Sequence, residues 1–159
     1  MNVSRTRDLL GLAAFVVLSF GAATLGGMAV GRALPGFYAS LAKPSWTPPV
    51  FVFGPVWTLL YALIAGSGWL AWRTGRSRLS PLLFLVQLAL NVAWPWLFFA
   101  AGWLDLALLV ATLLWLAVLA LIVASWRVSR LAARLLVPYL AWLSLAWALN
   151  LAIWRLNPR

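Results

Sequence analysis

Five long apolar stretches without a charged residue follow one another along the chain. They are Leu9–Gly31, Pro44–Trp72, Leu79–Leu104, Leu106–Trp126 and Leu135–Trp154, each 20 to 29 residues long. A helix needs about 20 apolar residues to cross the roughly 30 Å hydrocarbon layer of a bilayer. The leucine- and alanine-rich runs do not alternate with polar residues as barrel strands would. The pattern therefore predicts an all-α membrane protein, a single domain built as a five-transmembrane-helix bundle.

Local signals place the ends of these helices, which we expect at about residues 9–30, 51–72, 80–101, 104–126 and 131–154. Ser80 followed by Pro81 is typical of a helix start. Pro95 should kink the third helix, and Gly102 should end it. Asp105 falls in the first turn of the fourth helix, where a carboxylate suits the helix dipole.

The segment 31–50 is the longest predicted loop. Its prolines should forbid a continuous helix. The prolines and aromatic residues of this segment are Pro35, Pro44, Pro48, Pro49, Phe37, Tyr38 and Trp46. We expect the loop to fold over the end of the bundle as a lid, and an interfacial aromatic belt is the alternative.

The composition limits the kinds of functional site that the chain can contain. Of 159 residues, 65% are hydrophobic and 9% are charged, and the chain contains no histidine, cysteine or glutamate. A soluble domain carries about 25% charged residues. This composition excludes a His-ligated metal or haem, a cysteine nucleophile and a disulfide framework. We expect no bound cofactor.

The net charge of +10 arises from arginines at the ends of the spans, a distribution typical of orientation signals rather than of nucleic-acid binding. The N-terminus and the second and fourth loops hold eight cations, against four on the opposite side. This bias predicts a cytoplasmic N-terminus.

A cleaved signal peptide is the alternative for the first stretch, with Arg5 and Arg7 before an apolar run and small residues at 21–23. The run continues to Val30, which favours a span.

Small residues recur every four positions along the first helix, at Ser19, Ala23, Gly27 and Gly31. Such a stripe lets another helix approach closely, either within the bundle or in a second subunit.

Three helices each carry a stripe of aromatic and amide side chains. The stripes are Trp57 and Tyr61 on the second helix, Phe84, Gln87, Asn91 and Trp94 on the third, and Tyr139, Trp142, Ala146 and Asn150 on the fifth. Polar groups inside spans face the bundle interior. The amides could simply join helices by hydrogen bonds. Together with twelve tryptophans, the stripes predict an uncharged site for a large, flat, apolar ligand.

Four segments carry a specific resemblance. They are Leu41-Ala-Lys-Pro-Ser-Trp-Thr-Pro-Pro49, Phe53-Gly-Pro-Val-Trp-Thr-Leu-Leu-Tyr61, Gln87-Leu-Ala-Leu-Asn-Val-Ala-Trp94 and Val137-Pro-Tyr-Leu-Ala-Trp142. In this order, and with Asn150 and Trp154-Arg155 after them, they resemble the tryptophan-rich sensory protein / translocator protein (TspO) family, also known as the peripheral-type benzodiazepine receptor family.

The resemblance implies a five-helix membrane bundle, commonly a homodimer, whose first loop closes over a ligand pocket. It implies binding of porphyrins such as protoporphyrin IX and of benzodiazepine-type ligands, and of sterol in animal members. It also implies light-dependent porphyrin degradation in some members, with Trp57 and Trp142 as the catalytic tryptophans. Asn91 and Ala146 match pocket positions. The animal sterol motif has a tyrosine where this chain has Leu151, which weakens the expectation of sterol binding.

The leading hypothesis is therefore a porphyrin-binding membrane protein with a sensory role. Its expected ligand-binding residues are Trp46, Trp57, Tyr61, Gln87, Asn91, Trp94, Tyr139, Trp142, Ala146 and Asn150. A transporter of tetrapyrroles or other hydrophobic solutes is the alternative, although the buried charges that coupling usually requires are missing from the predicted site.

Overall fold

The computed structural model describes residues 3–74 and 79–158, and within these ranges it contains five long helices. They are α1 (Val3–Ala33), α2 (Val50–Arg73), α3 (Leu79–Pro95), α4 (Leu104–Trp126) and α5 (Arg130–Leu156). Counted with the helical segments that directly follow α1 and α3, all five are long and apolar enough to cross a membrane. The predicted five-helix bundle is confirmed. Residues 75–78, which carry Arg76 and Arg78 of the expected basic loop, lie outside the described residues.

The helices form a closed ring in the order α1, α2, α5, α4, α3. Tyr61, Phe84, Leu114 and Tyr139 are among the buried residues at its centre. Large apolar side chains such as Leu10 and Leu59 are exposed on the outside, where a bilayer would cover them. The chain is thus an integral, multi-pass membrane protein.

The first helix extends past its predicted end near residue 30, as far as Ala33. After α1 the chain continues as a π-helical segment, Leu34–Tyr38, with Pro35 in its first turn. A proline lacks the N–H that a helix interior needs, but it is tolerated in the first turn of a new segment. The irregular stretch is consequently shorter than expected, covering residues 41–49.

The third helix changes its hydrogen bonding after Pro95. A π-helical segment, Trp96–Ala100, follows, and the Ala101 N–H donates to the Trp96 carbonyl at 2.9 Å. Gly102 ends the segment with a φ of 67°, a left-handed conformation that favours glycine. Asp105 lies in the first turn of α4, as predicted, and its Oδ1 accepts from the Leu106 N–H at 2.8 Å.

Polar contacts tie the irregular stretch to one end of the bundle. The Asn157 side chain, just after α5, accepts from the Ala42 N–H and donates to the Ala42 carbonyl, both at 2.9 Å. The Lys43 ammonium donates to the carbonyls of Tyr38 (2.6 Å) and Leu41 (2.8 Å). We call residues 41–49 the lid, after the role predicted for this part of the chain, and this side of the bundle the lid end.

Candidate functional site

Two adjoining cavities lie between α1, α2, α3 and α5, reaching the lid end. Their volumes are about 350 Å³ and about 320 Å³. Six residues line both: Val30, Leu34, Phe53, Gly54, Trp57 and Trp94. We call the pair the aromatic cavity. None of the side chains that line it is charged.

Aromatic rings from α2 and α5 hold one another in place around the first of these cavities. The Phe53 ring meets the Trp142 ring edge-on, with centroids 5.7 Å apart. Trp57 packs against Tyr61 at 5.7 Å and against Tyr139 at 6.3 Å. Edge-to-face and tilted contacts at these distances are favourable and restrict ring motion. The cavity therefore presents aromatic surfaces in fixed orientations.

The buried phenols and amides form a chain of hydrogen bonds beneath the cavity. The Tyr61 hydroxyl donates to Asn91 Oδ1 at 2.6 Å, and Asn91 Nδ2 donates to the Tyr139 hydroxyl. The Tyr139 hydroxyl donates to Gln87 Oε1 at 3.1 Å. This chain joins α2, α3 and α5, and each bond supports the next. These amides join the helices that form the wall of the cavity, which is the simpler of the two roles that the sequence allowed for them.

The structure brings six of the ten expected ligand-binding residues to the aromatic cavity. These are Trp57, Tyr61, Asn91, Trp94, Trp142 and Ala146. Gln87 and Tyr139 lie behind the wall, fully buried. Both candidate catalytic tryptophans, Trp57 and Trp142, line the same cavity.

Asn150 and Trp46 lie elsewhere. Asn150 accepts from Trp94 Nε1 and donates to the Leu104 carbonyl, both at 3.0 Å, so it joins α5 to α3 and α4. Trp46, in the lid, is 49% exposed and is not among the residues that line the aromatic cavity.

Several lining residues gave no signal in the sequence. Val30, Leu34 and Phe99 are ordinary apolar residues of a membrane span, and only the packing of the helices shows that they border a cavity. Gly27 and Gly31 of the small-residue stripe also line it, with open space where a side chain would be. The stripe thus widens the cavity in addition to any role in helix packing.

Four buried polar atoms in the described part of the chain have no hydrogen-bond partner: Trp142 Nε1, Gln87 Nε2 and the hydroxyls of Ser19 and Ser125. Buried N–H groups nearly always find an acceptor. Across residues 3–74 and 79–158 there is also no group of three acidic, histidine or cysteine side chains that could hold a metal ion. The aromatic cavity can therefore bind a ligand by stacking and by burial of apolar surface.

Comparisons with known proteins agree with this architecture. The model of the TspO/MBR family matches residues 14–155. The chain is 45% identical over 126 residues to the translocator protein of Homo sapiens, covering 76% of this chain and 75% of that protein. It is 40% identical over 134 residues to the tryptophan-rich protein TspO of Chlorobaculum tepidum, covering 77% and 80% of the two chains. It is 37% identical over 158 residues to the tryptophan-rich protein TspO of Archaeoglobus fulgidus, covering 94% and 99%.

Proposed function

This chain belongs to the TspO/MBR family of membrane proteins, and we propose that it binds porphyrins, such as protoporphyrin IX, and similar flat hydrophobic ligands in the aromatic cavity. Benzodiazepine-type ligands fall within the same proposal. Sterol is the weaker candidate because of Leu151. We also propose a homodimer and a sensory role, which the family resemblance implies.

The observation that carries the proposal is the uncharged, aromatic lining of the cavity. Trp57, Trp94 and Trp142 offer indole surfaces from three different helices. Flat π systems stack on such surfaces, and ligand sites are mostly apolar clefts of about 300–1,000 Å³. A tetrapyrrole offers the flat π face that these indole surfaces can stack on.

A variant that fills the cavity tests the proposal directly. Gly54 lines both halves of the cavity, and a Cβ added there would meet nothing within 4 Å. Gly54→Leu should therefore fold normally and occupy the ligand's space, weakening protoporphyrin IX binding by about tenfold or more. The measurement is a porphyrin titration of the purified protein, followed by the Soret absorbance of the bound porphyrin.

Gly21→Leu is the matched control. Gly21 is an exposed helical glycine with equal open space, and it does not line the aromatic cavity. It should bind porphyrin like the parent chain. Equal affinity of the two variants would show that porphyrin binds elsewhere and would refute the proposed site.

Light-dependent degradation of the bound porphyrin extends the proposal. Trp57 and Trp142 line the cavity, where an indole can donate an electron to a photoexcited macrocycle with O₂ as oxidant. The same illuminated samples should lose Soret absorbance in the parent chain, and Gly54→Leu should suppress that loss. A steady Soret band in the parent chain would leave binding without turnover. Protein-dependent porphyrin uptake into liposomes would instead favour the transporter alternative.

A further inference from the structure

A second concave surface lies outside the aromatic cavity, between the start of α4 and the end of α5. Its volume is about 520 Å³. Its lining residues are Trp103, Leu104, Asp105, Leu106, Trp154 and Asn157. We call it the α4–α5 groove. Trp103 and Trp154 are both exposed, 51% and 42% respectively, so their indole faces are available to a ligand.

The groove contains one carboxylate, that of Asp105, whose Oδ1 accepts from the Leu106 N–H. The chain has only two acidic residues, in a protein of net charge +10. Asp8 is paired with Arg73, Oδ2 to NH2, at 2.8 Å. Within the described ranges Asp105 has no ion pair. A carboxylate beside two indoles, on an otherwise cationic protein, is complementary to a cation.

The walls of the groove are held in position. Leu104, between Trp103 and Asp105, accepts a hydrogen bond from Asn150, which lies four residues before Trp154 and so on the same face of α5. Asn157 is fixed by its two bonds to Ala42. The described indoles of Trp103 and Trp154 make no ring contact with each other, and both line the groove.

The chemistry of the lining selects the kind of cation. Two indoles and one carboxylate are a poor ligand set for Mg²⁺ or Ca²⁺, which take several oxygen ligands. A quaternary ammonium carries its charge on methyl groups, which gain from aromatic faces and need no hydrogen-bond acceptors. The groove therefore fits a trimethylammonium group better than a metal ion or a primary amine.

We propose that the α4–α5 groove binds the choline headgroup of a membrane phospholipid, with trimethylammonium between Trp103 and Trp154 and next to Asp105. The surface of α4 next to the groove indicates that the choline group belongs to a lipid. Leu106, Leu109 and Leu113 are exposed and continue along α4 from the groove towards the middle of the span. An acyl chain can lie along this row of leucines while its headgroup stays at the water interface.

Indole NMR signals test the proposal without relying on activity. The full chain, labelled with ¹⁵N-tryptophan, is placed in bilayer discs of phosphatidylglycerol, and phosphatidylcholine with the same acyl chains is added in steps. The Nε1–H signals of Trp103 and Trp154 should shift and saturate. Trp126, equally exposed at the other end of α4, is the control and should not.

Two variants and one control distinguish a specific choline site from tryptophans that merely lie at the membrane interface. Asp105→Asn keeps the side chain's size and should weaken the response several-fold, while Asp8→Asn, at the chain's other acid, should leave it unchanged. Replacing Trp103 by Leu should weaken the response of Trp154 by about two- to fivefold, as expected for one exposed cation–π contact.

The outcomes are distinct. Equal shifts on adding more phosphatidylglycerol, or equal shifts at Trp103, Trp154 and Trp126, would overturn the proposal in favour of ordinary interfacial tryptophans. Tetramethylammonium chloride in solution is the third arm. If it saturates the two signals while phosphatidylcholine does not, the groove binds a soluble cation and the lipid assignment is refuted.

Discussion

At the scale of single residues, close helix packing in this protein depends on the absence of side chains. Gly68 of α2 is buried where α1 and α3 approach it. A Cβ added there would lie 2.6 Å from the Phe15 ring and 2.7 Å from the Phe84 ring. Those two rings pack edge-to-face with centroids 4.8 Å apart, so neither can retreat without losing contact with the other.

Gly68→Ala should accordingly destabilise the protein by about 1–3 kcal/mol, the usual cost of overpacking. Gly66→Ala is the matched control, because its new Cβ would lie 3.6 Å from Leu135, an ordinary contact distance. That control should be neutral or slightly stabilising, since alanine favours a helix over glycine by about 1 kcal/mol. Thermal unfolding in detergent compares the two variants. Equal melting temperatures would contradict this account of the packing.

At the scale of elements, the lid is held from both sides by polar side chains. Asn157 binds the backbone of Ala42 through both ends of its amide, and Lys43 donates to the carbonyl of Tyr38, the last residue of the π-helical segment. The Lys43 ammonium also lies over the Tyr38 ring, 4.8 Å from its centroid. Tyr38 lines the aromatic cavity, so these contacts connect the position of the lid to the wall of the proposed ligand site.

Removing the Asn157 amide should loosen the lid. In Asn157→Ala, the Ala42 N–H loses its acceptor, and its hydrogen exchange should become faster by about tenfold, corresponding to one lost hydrogen bond. Leu156→Ala, at the exposed neighbouring residue, is the control and should leave exchange at Ala42 unchanged. Unaltered exchange in Asn157→Ala would mean that the lid is held by other contacts.

At the scale of the whole molecule, contacts between distant residues define the two ends of the helix ring. Asp8 pairs with Arg73, which places the start of α1 beside the end of α2. Ala42 and Asn157 meet at the opposite end. This arrangement agrees with five spans that alternate in direction. The greater number of cations near the first end predicts that this end faces the cytoplasm.

The natural absence of cysteine makes the orientation easy to test. Val128→Cys, between α4 and α5, should react with a membrane-impermeant maleimide only after the cells are opened. Ser40→Cys, exposed at the lid end, should react in intact cells. The reverse pattern of labelling would show that the N-terminus is outside.

The number of spans, their approximate limits and the family could be predicted from residue order alone. Hydrophobic length, the charges between spans and the four motif segments are local properties, and the bilayer imposes helix on any long apolar run because unpaired backbone groups are costly in lipid. The predicted limits of α4, about 104–126, agree with Leu104–Trp126, and Gly102 ends the π-helical segment that follows α3. Pro35 was expected to exclude helix, but it lies in the first turn of the π-helical segment, where a proline is tolerated.

The role of each inward-facing polar residue depended on how the helices meet. Asn91, Gln87 and Asn150 share a pattern, but the structure gives them different surroundings. Asn91 borders the aromatic cavity, Gln87 accepts from Tyr139 and leaves its Nε2 without a partner, and Asn150 joins α5 to α3 and α4. Helical spacing reports which face a side chain is on but not which neighbour it meets across the bundle. The cavity and the α4–α5 groove are spaces between helices distant in the chain, so their shape follows from three-dimensional packing, which no local pattern of residues encodes.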